Sequence, residues 1–176
     1  ERAEKLVHAA AEAGADAVKL QTYTPDTMTV DSDKEWFRVG GKGNPREWQG
    51  QTLYELYKKA MTPWDWHPKL QKLTESLDLI FFSTPFDESA VVFLEKLNVP
   101  LYKIASYEAM DIPHLKKIGA TGKPVILSVG FASLDEIELA LKTLRQNRSN
   151  QIALLHCLTS YGAAPGLEEA HLANIR

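Results

Sequence analysis

Residues 101–108, Leu-Tyr-Lys-Ile-Ala-Ser-Tyr-Glu, turn from an apolar run into a cluster of reactive groups within a few positions. Lys103 and Ser106 can hold an anion, and Glu108 can orient a hydroxyl or move a proton, provided that a strand delivers them to the rim of a scaffold. Four other stretches share this form, an apolar run ending in polar side chains: Lys19 with Gln21, Ser83 with Thr84, Ser128 with Gly130, and His156 with Thr159 and Tyr161. Two ammonium groups brought together in a partly desolvated pocket, Lys19 and Lys103, are unfavourable unless an anion neutralises them. Together they imply an anionic ligand. Ser83, Thr84, Ser106, Ser128 and the backbone near Gly130 are then donors for a phosphate or carboxylate. Gln21 and Glu108 face the polar, neutral part of a co-substrate. The same pair admits a competing chemistry, in which one lysine is a Schiff-base nucleophile whose pKa the other lowers. His156, a lone histidine at a strand end, reads as packed and hydrogen-bonded rather than as a metal ligand. His8, His67, His114 and His171 have no paired spacing and fall on helix surfaces or starts.

The elements that must position these groups follow from periodicity. Leu6, Val7, Ala10 and Ala13 recur at helical spacing over residues 1–13, with Gly14 as the stop, and residues 16–21 form a short strand. Residues 22–48 are a long irregular stretch whose Trp36, Phe37 and Trp48 are costly in solvent, which implies that it packs over something. Helices are expected over 51–60 and 64–77, separated by Thr62-Pro63. A strict alternation follows: strand 79–83, helix 88–97 capped by Asp87, strand 102–105, helix 112–118 opened by Asp111 and Pro113, and strand 124–128. A capping box, Ser133 with Glu136, starts the next helix, which turns Ile137, Leu141 and Leu144 inward, and residues 151–157 are the last strand. Near-continuous apolar strands signal burial on both faces of a parallel sheet. Right-handed crossovers put every strand's carboxyl end on one rim. The class is α/β, either an open doubly wound sheet or a (β/α)₈ barrel; no glycine-rich dinucleotide fingerprint follows any strand, so the barrel is preferred.

Composition narrows the class further. The 176 residues are 44% hydrophobic, enough for one sizeable core. A net charge of −3 with interspersed signs points neither to nucleic acid nor to an anionic membrane surface. The single cysteine, Cys157, excludes an internal disulfide and fits a reducing cytoplasm. No apolar run approaches the roughly 20 residues that span a bilayer.

With the rim residues in hand, the order and spacing resemble the sialic acid synthase family. The carriers are Val18-Lys19-Leu20-Gln21-Thr22, Phe82-Ser83-Thr84-Pro85-Phe86, the run from Tyr102 to Glu108, Gly122-Lys123-Pro124 with Ser128-Val129-Gly130, and Leu155-His156-Cys157 with Tyr161. Leu53-Tyr54-Glu55-Leu56-Tyr57 followed by Thr62-Pro63-Trp64-Asp65-Trp66-His67 is most similar to the bacterial pseudaminic acid synthases within that family. The resemblance implies a (β/α)₈ barrel that condenses phosphoenolpyruvate with an open-chain acetamido sugar, a 2,4-diacetamido-trideoxyhexose or an N-acetylhexosamine. The products are a nine-carbon 2-keto acid and phosphate. It further implies a divalent metal, Mn²⁺ or Mg²⁺, as Lewis acid, with its ligands outside this chain, and a homodimeric full-length protein. Lys19, Thr84, Lys103, Ser106 and Ser128 match positions that hold phosphoenolpyruvate, whereas Gln21, Glu108 and Tyr161 match positions facing the sugar, with Thr159 nearby. Lys103 and Glu108 are the catalytic candidates. The pattern departs at Val129, where the family usually has threonine, and at Gly162, where a proline commonly follows the tyrosine.

In that reading the chain supplies strands two to six of eight, all part of one catalytic barrel domain, and lacks the carboxyl-terminal antifreeze-like domain. The isolated chain is then expected to be unstable or aggregating and inactive. Other readings are an N-acetylneuraminate or legionaminic acid synthase and, in another class, a non-catalytic sugar-phosphate binding module.

Overall fold

Alternate side chains of each strand choose which face of the sheet is buried. The computed structural model describes residues 1–41, 44–158 and 170–175. Within them β1 (Ala17–Thr22), β2 (Ile80–Pro85), β3 (Tyr102–Ile104), β4 (Val125–Ser128) and β5 (Ile152–Leu155) lie side by side in chain order, every neighbouring pair parallel. Val18, Leu20, Phe81, Tyr102, Ile104, Val125 and Leu127 all enter one core, and they share one parity. The opposite parity brings Lys19, Gln21, Thr84, Lys103 and Ser128 to the other face. Register makes this explicit: Gln21 is level with Thr84, Lys103 with Ile126 and Ser128 with Leu155.

The helices are α1 (Arg2–Glu12), α2 (Pro25–Met28), α3 (Leu53–Ala60), α4 (His67–Ser76), α5 (Glu88–Lys96), α6 (Ile112–Gly119) and α7 (Leu134–Gln146). Contacts run α1 to α4, α5 to α6 and α6 to α7, with α4 and α5 seated on β2. Their apolar stripes supply Val7, Leu70, Val91, Leu94, Leu115, Ile118 and Leu144 to the core. Each such fully buried side chain contributes about 1.5–3 kcal/mol by leaving water. One helix layer on one face of a parallel sheet is the arrangement of a (β/α)₈ barrel in part, not of a doubly wound sheet, which would be covered on both sides.

The local start signals behave as their chemistry dictates. Asp87 accepts from the Ser89 and Ala90 amides at α5, Asp111 from the His114 amide at α6, and Ser133 and Glu136 cap α7 reciprocally. Thr52 and Glu55 form a second capping box at α3.

Two expectations are corrected. Burial on both faces holds within β2, where Phe81 to Pro85 are all buried, but not throughout the sheet: Ile80 at the start of β2 is 47% exposed, and on the edge strand β5 Leu155 is 43% exposed on the inner face and Leu154 44% on the outer. Apolar runs alone cannot say whether a second layer covers them. Trp36 does not pack down either; it is 80% exposed, and Trp48 is also exposed. The stretch is pinned instead by Tyr23, edge-on against Tyr57 and Phe86, and by buried Val39, whose amide donates to the Gln51 carbonyl.

Candidate functional site

The carboxyl ends of the strands converge on a pocket of about 250 Å³ lined by Lys19, Gln21, Thr84, Lys103, Ala105, Ser106, Ser128, Cys157 and Leu158. That is smaller than the ~300–1,000 Å³ of most drug-sized sites and suits a compact anion. A larger hollow of about 700 Å³ lies along α7, but α7 alone lines it, with side chains of both charges.

Lys103 reaches across from β3 to β4. Its Nζ donates to Ser128 Oγ at 2.6 Å and to the Ile104 carbonyl at 2.6 Å. Burial lowers its pKa, and the charge of Lys19 lowers it further, while Cys157 and Glu108 oppose the shift. Lys19 keeps much of its surface open, yet the sheet around its ammonium desolvates it enough to lower its pKa as well. Two cations whose charged forms are both disfavoured by this pocket are a standing attraction for an anion.

Donors surround them. Thr84 is buried with its side chain on the pocket face. Ser106 Oγ accepts the Phe131 amide at 3.2 Å, tying the end of β3 to the loop after β4 and leaving its own O–H to donate into the pocket. The Tyr107 and Phe131 rings stack at 4.2 Å over the same junction.

Glu108 sits on the 3-10 turn Tyr107–Met110 that follows Ser106, beside the pocket rather than in its lining. Its Oε2 is buried without a partner among the described residues. Burial raises its pKa and the charge of Asp111 adds to this, while its own backbone amide and Lys103 pull the other way. A carboxyl group held above its usual range next to a cationic pocket can carry a proton under conditions where an ordinary glutamate would not.

The structure thus brings Lys19, Gln21, Thr84, Lys103, Ser106 and Ser128 together, with Glu108 adjacent. Thr159 and Tyr161 lie outside the described residues. Ser83 is corrected: with even-numbered Leu20 as its register partner it points into the helix layer, where its hydroxyl bonds Thr22 Oγ1 at 2.7 Å. Val129 and Gly130 line a different hollow against α7, so the valine removes no donor from the anion pocket. His156 is hydrogen-bonded to the Ala170 carbonyl but exposed rather than packed. His67 and His114 do stand at helix starts, yet both are buried rather than on helix surfaces. Cys157 was missed as a lining residue. Strand alternation carried two positions on from Leu155, the register partner of Ser128, would have found it.

Among the described residues, no group of three or more His, Cys, Asp or Glu could hold a metal ion. No described helix is long and apolar enough to cross a membrane.

The profile of the NeuB family matches residues 6–176. The chain belongs to the NeuB family. Over 173 residues it is 43% identical to a protein named pseudaminic acid synthase from Helicobacter pylori, covering 98% of this chain and 49% of that one. A Campylobacter jejuni protein of the same name is 37% identical over 175 residues, covering 99% and 49%. The chain therefore spans about half the length of these NeuB relatives. A solved N-acetylneuraminic acid synthetase from Leptospira borgpetersenii, crystallised with citrate, superposes with a TM-score of 0.79 at 29% identity, covering 98% of this chain and 53% of that one. This agrees with the partial barrel read from the one-sided helix layer, and it puts the chain in a carbohydrate-biosynthesis family of synthases.

Proposed function

We propose that this chain supplies the phosphoenolpyruvate side of a synthase that condenses phosphoenolpyruvate with an open-chain 2,4-diacetamido-trideoxyhexose, giving a nine-carbon 2-keto sugar acid of the pseudaminic type. The observation that carries this is the convergence of Lys19 and Lys103, both with depressed pKa, on one pocket lined by Thr84, Ser106 and Ser128. A compact dianion with a carboxylate, such as phosphoenolpyruvate, would satisfy both cations and all three hydroxyls at once. The likeness to proteins named pseudaminic acid synthase supports the choice of sugar.

In the reaction, carbon 3 of phosphoenolpyruvate attacks the aldehyde carbon with the electrons of its C2–C3 double bond. Glu108, whose burial favours its protonated form, gives a proton to the aldehyde oxygen as the bond forms. The oxocarbenium left at carbon 2 takes up water, one proton of which returns to the Glu108 carboxylate; the hemiketal then collapses to the ketone, and phosphate departs with its bridging oxygen and the remaining hydroxyl proton while Lys19 and Lys103 carry its negative charge. Gln21, on the open side of the pocket, is assigned to the sugar, and the family resemblance assigns Thr159 and Tyr161 to substrate binding as well. Fixing both reactants in attack geometry is a large part of such a barrier reduction. Among the described residues no group of three or more His, Cys, Asp or Glu fits a site for Mn²⁺ or Mg²⁺, and no step is assigned to the cation here. The full-length protein is a cytoplasmic homodimer in this reading, with residues 1–176 forming part of its catalytic barrel domain.

Phosphate release from phosphoenolpyruvate by the full-length protein tests the proposal, with the diacetamido hexose, the legionaminic precursor and N-acetylmannosamine as alternative acceptors. Equal turnover of N-acetylmannosamine would remove the preference for the pseudaminic type. Binding of phosphoenolpyruvate without turnover of any sugar would make the pocket a binding module. A borohydride-trapped adduct on Lys19 or Lys103 would replace the scheme by a Schiff-base one.

A further inference from the structure

Behind the pocket, on the helix side of the sheet, three fully buried polar side chains form a chain: His67 Nε2 to Thr22 Oγ1 at 2.9 Å, and Thr22 Oγ1 to Ser83 Oγ at 2.7 Å. Its direction follows from its ends. His67 Nδ1 stands 3.3 Å from the Pro63 carbonyl, which can only accept, so Nδ1 carries the proton. The imidazole is neutral, because burial lowers its pKa and the Phe81 and Phe93 rings stand edge-on around it. Nε2 is then an acceptor, Thr22 donates to it, and Ser83 donates to Thr22.

The place of this chain gives it a task. Thr22 and Ser83 are not level with each other; Leu20 is the register partner of Ser83, and Pro85 that of Thr22. Their hydroxyl bond therefore runs diagonally across the Gln21–Thr84 row, on the opposite face. A diagonal bond adds a side-chain tie between the two strand ends to the slanted bonds of the parallel ladder. The anchor at the far end is the 63–67 turn, which also holds β1 through Trp64 Nε1 donating to the Tyr23 carbonyl at 3.0 Å.

We infer that the Ser83–Thr22–His67 chain is a positioning device for the pocket, fixing Gln21 and Thr84 relative to each other from behind the sheet. Thr22, Ser83 and His67 touch no substrate; they act through the residues beside them. This assignment rests on the proposed reaction, and its effect is read on phosphoenolpyruvate.

The test uses the full-length protein. In Thr22→Val the shape is kept and the link lost; kcat/KM for phosphoenolpyruvate falls roughly 10- to 100-fold, mostly in KM. Thr22→Ser restores it. The control is Thr74→Val, which removes an equally buried hydroxyl that bonds only the Leu70 carbonyl within α4; it lowers the melting temperature and leaves KM unchanged. Should Thr22→Val not fold, Ser83→Ala removes only the end of the chain and raises KM in the same sense. Imidazole ¹⁵N spectra of the unmodified protein at neutral pH show His67 protonated at Nδ1. Protonation at Nε2, or a Thr22→Val enzyme that loses stability like Thr74→Val but keeps its KM, overturns the assignment while leaving the reaction intact. An unmodified enzyme that releases no phosphate overturns the reaction and this assignment with it.

Discussion

Single side chains in the pocket work against the stability of the fold. The pKa values of Lys19 and Lys103 are lowered from 10.5, so the folded state binds their protons less tightly than the unfolded chain does. The stability linked to them is present above 10.5 and is lost as pH falls through their lowered folded values. Burial disfavours both charged forms, and an anion between them would offset that cost. In the full-length protein, Lys19→Met is therefore expected to keep or raise the melting temperature at pH 7 and to flatten its rise towards pH 10. Phosphoenolpyruvate affinity, by calorimetry, should fall roughly 10- to 100-fold, the worth of one charge-assisted contact. Unchanged affinity would remove Lys19 from the anion site. Glu108 has the opposite sign: its pKa is raised from 4.5, so its linked stability is present below 4.5 and lost as pH rises through the folded value. In its proposed role as proton donor it would be active below that value, so Glu108→Gln should cost about 10²–10⁴ in kcat with little change in the KM for phosphoenolpyruvate. The alkaline limb of the pH–rate profile that Glu108 sets should disappear as well; a variant with normal kcat ends the proton role. Lys19, Gln21, Thr84, Lys103, Ser106 and Ser128 were legible as one group because strand ends share a rim and alternate positions share a face. Ser83 was misread because its position at a strand end was counted without its parity. The Thr22–His67 bond joins residues 45 apart, and no local pattern encodes such a pairing.

Elements were legible where their signals are local. Asp87, Asp111 and Ser133 satisfy amides two or three residues on, so sequence alone contains both partners. The fold of residues 22–52 was not legible, because what holds it is distant: Tyr23 on Tyr57 and Phe86, and Trp64 Nε1 on the Tyr23 carbonyl. Helix packing is similarly hidden from sequence. Gly119 ends α6 where α7 passes, and a Cβ added there would stand 2.8 Å from Asn147 Cβ and 3.1 Å from the Leu144 carbonyl oxygen. The backbone cannot retreat without dragging buried Ile118 and Leu144 out of the core. Gly119→Ala should therefore cost about 1–3 kcal/mol through overpacking, despite the better helix propensity of alanine. Urea unfolding of the full-length protein measures it, and a neutral or stabilising result would mean that the α6–α7 contact is looser than the structure has it.

For the whole molecule, the sheet order leaves β1 and β5 each paired on one side only among the described residues. A barrel removes its edges by closing, whereas an open arc of parallel strands presents unpaired amides and carbonyls at both ends. Here the β5 edge is also apolar, with Leu154 and Leu155 each more than two-fifths exposed and Leu134 of α7 81% exposed beside them. A net charge of −3 on 176 residues offers weak repulsion against association. These residues were legible as strand and helix formers, but what covers them was not, since an apolar run states that it needs a partner without naming one. The isolated 176-residue chain is therefore expected to elute as higher oligomers or aggregate, to bind a hydrophobic dye, to unfold over a broad transition and to release no phosphate from phosphoenolpyruvate with any acetamido sugar. Size-exclusion chromatography at several concentrations, with calorimetry on the same samples, makes the measurement. Leu154→Lys places a charge on the exposed edge and should shift the distribution towards monomer without restoring activity, because the edge and the pocket are different faces of the problem. A chain that is monomeric, unfolds in one sharp transition and turns over both substrates would show that five β/α units suffice, and would overturn the argument from open edges.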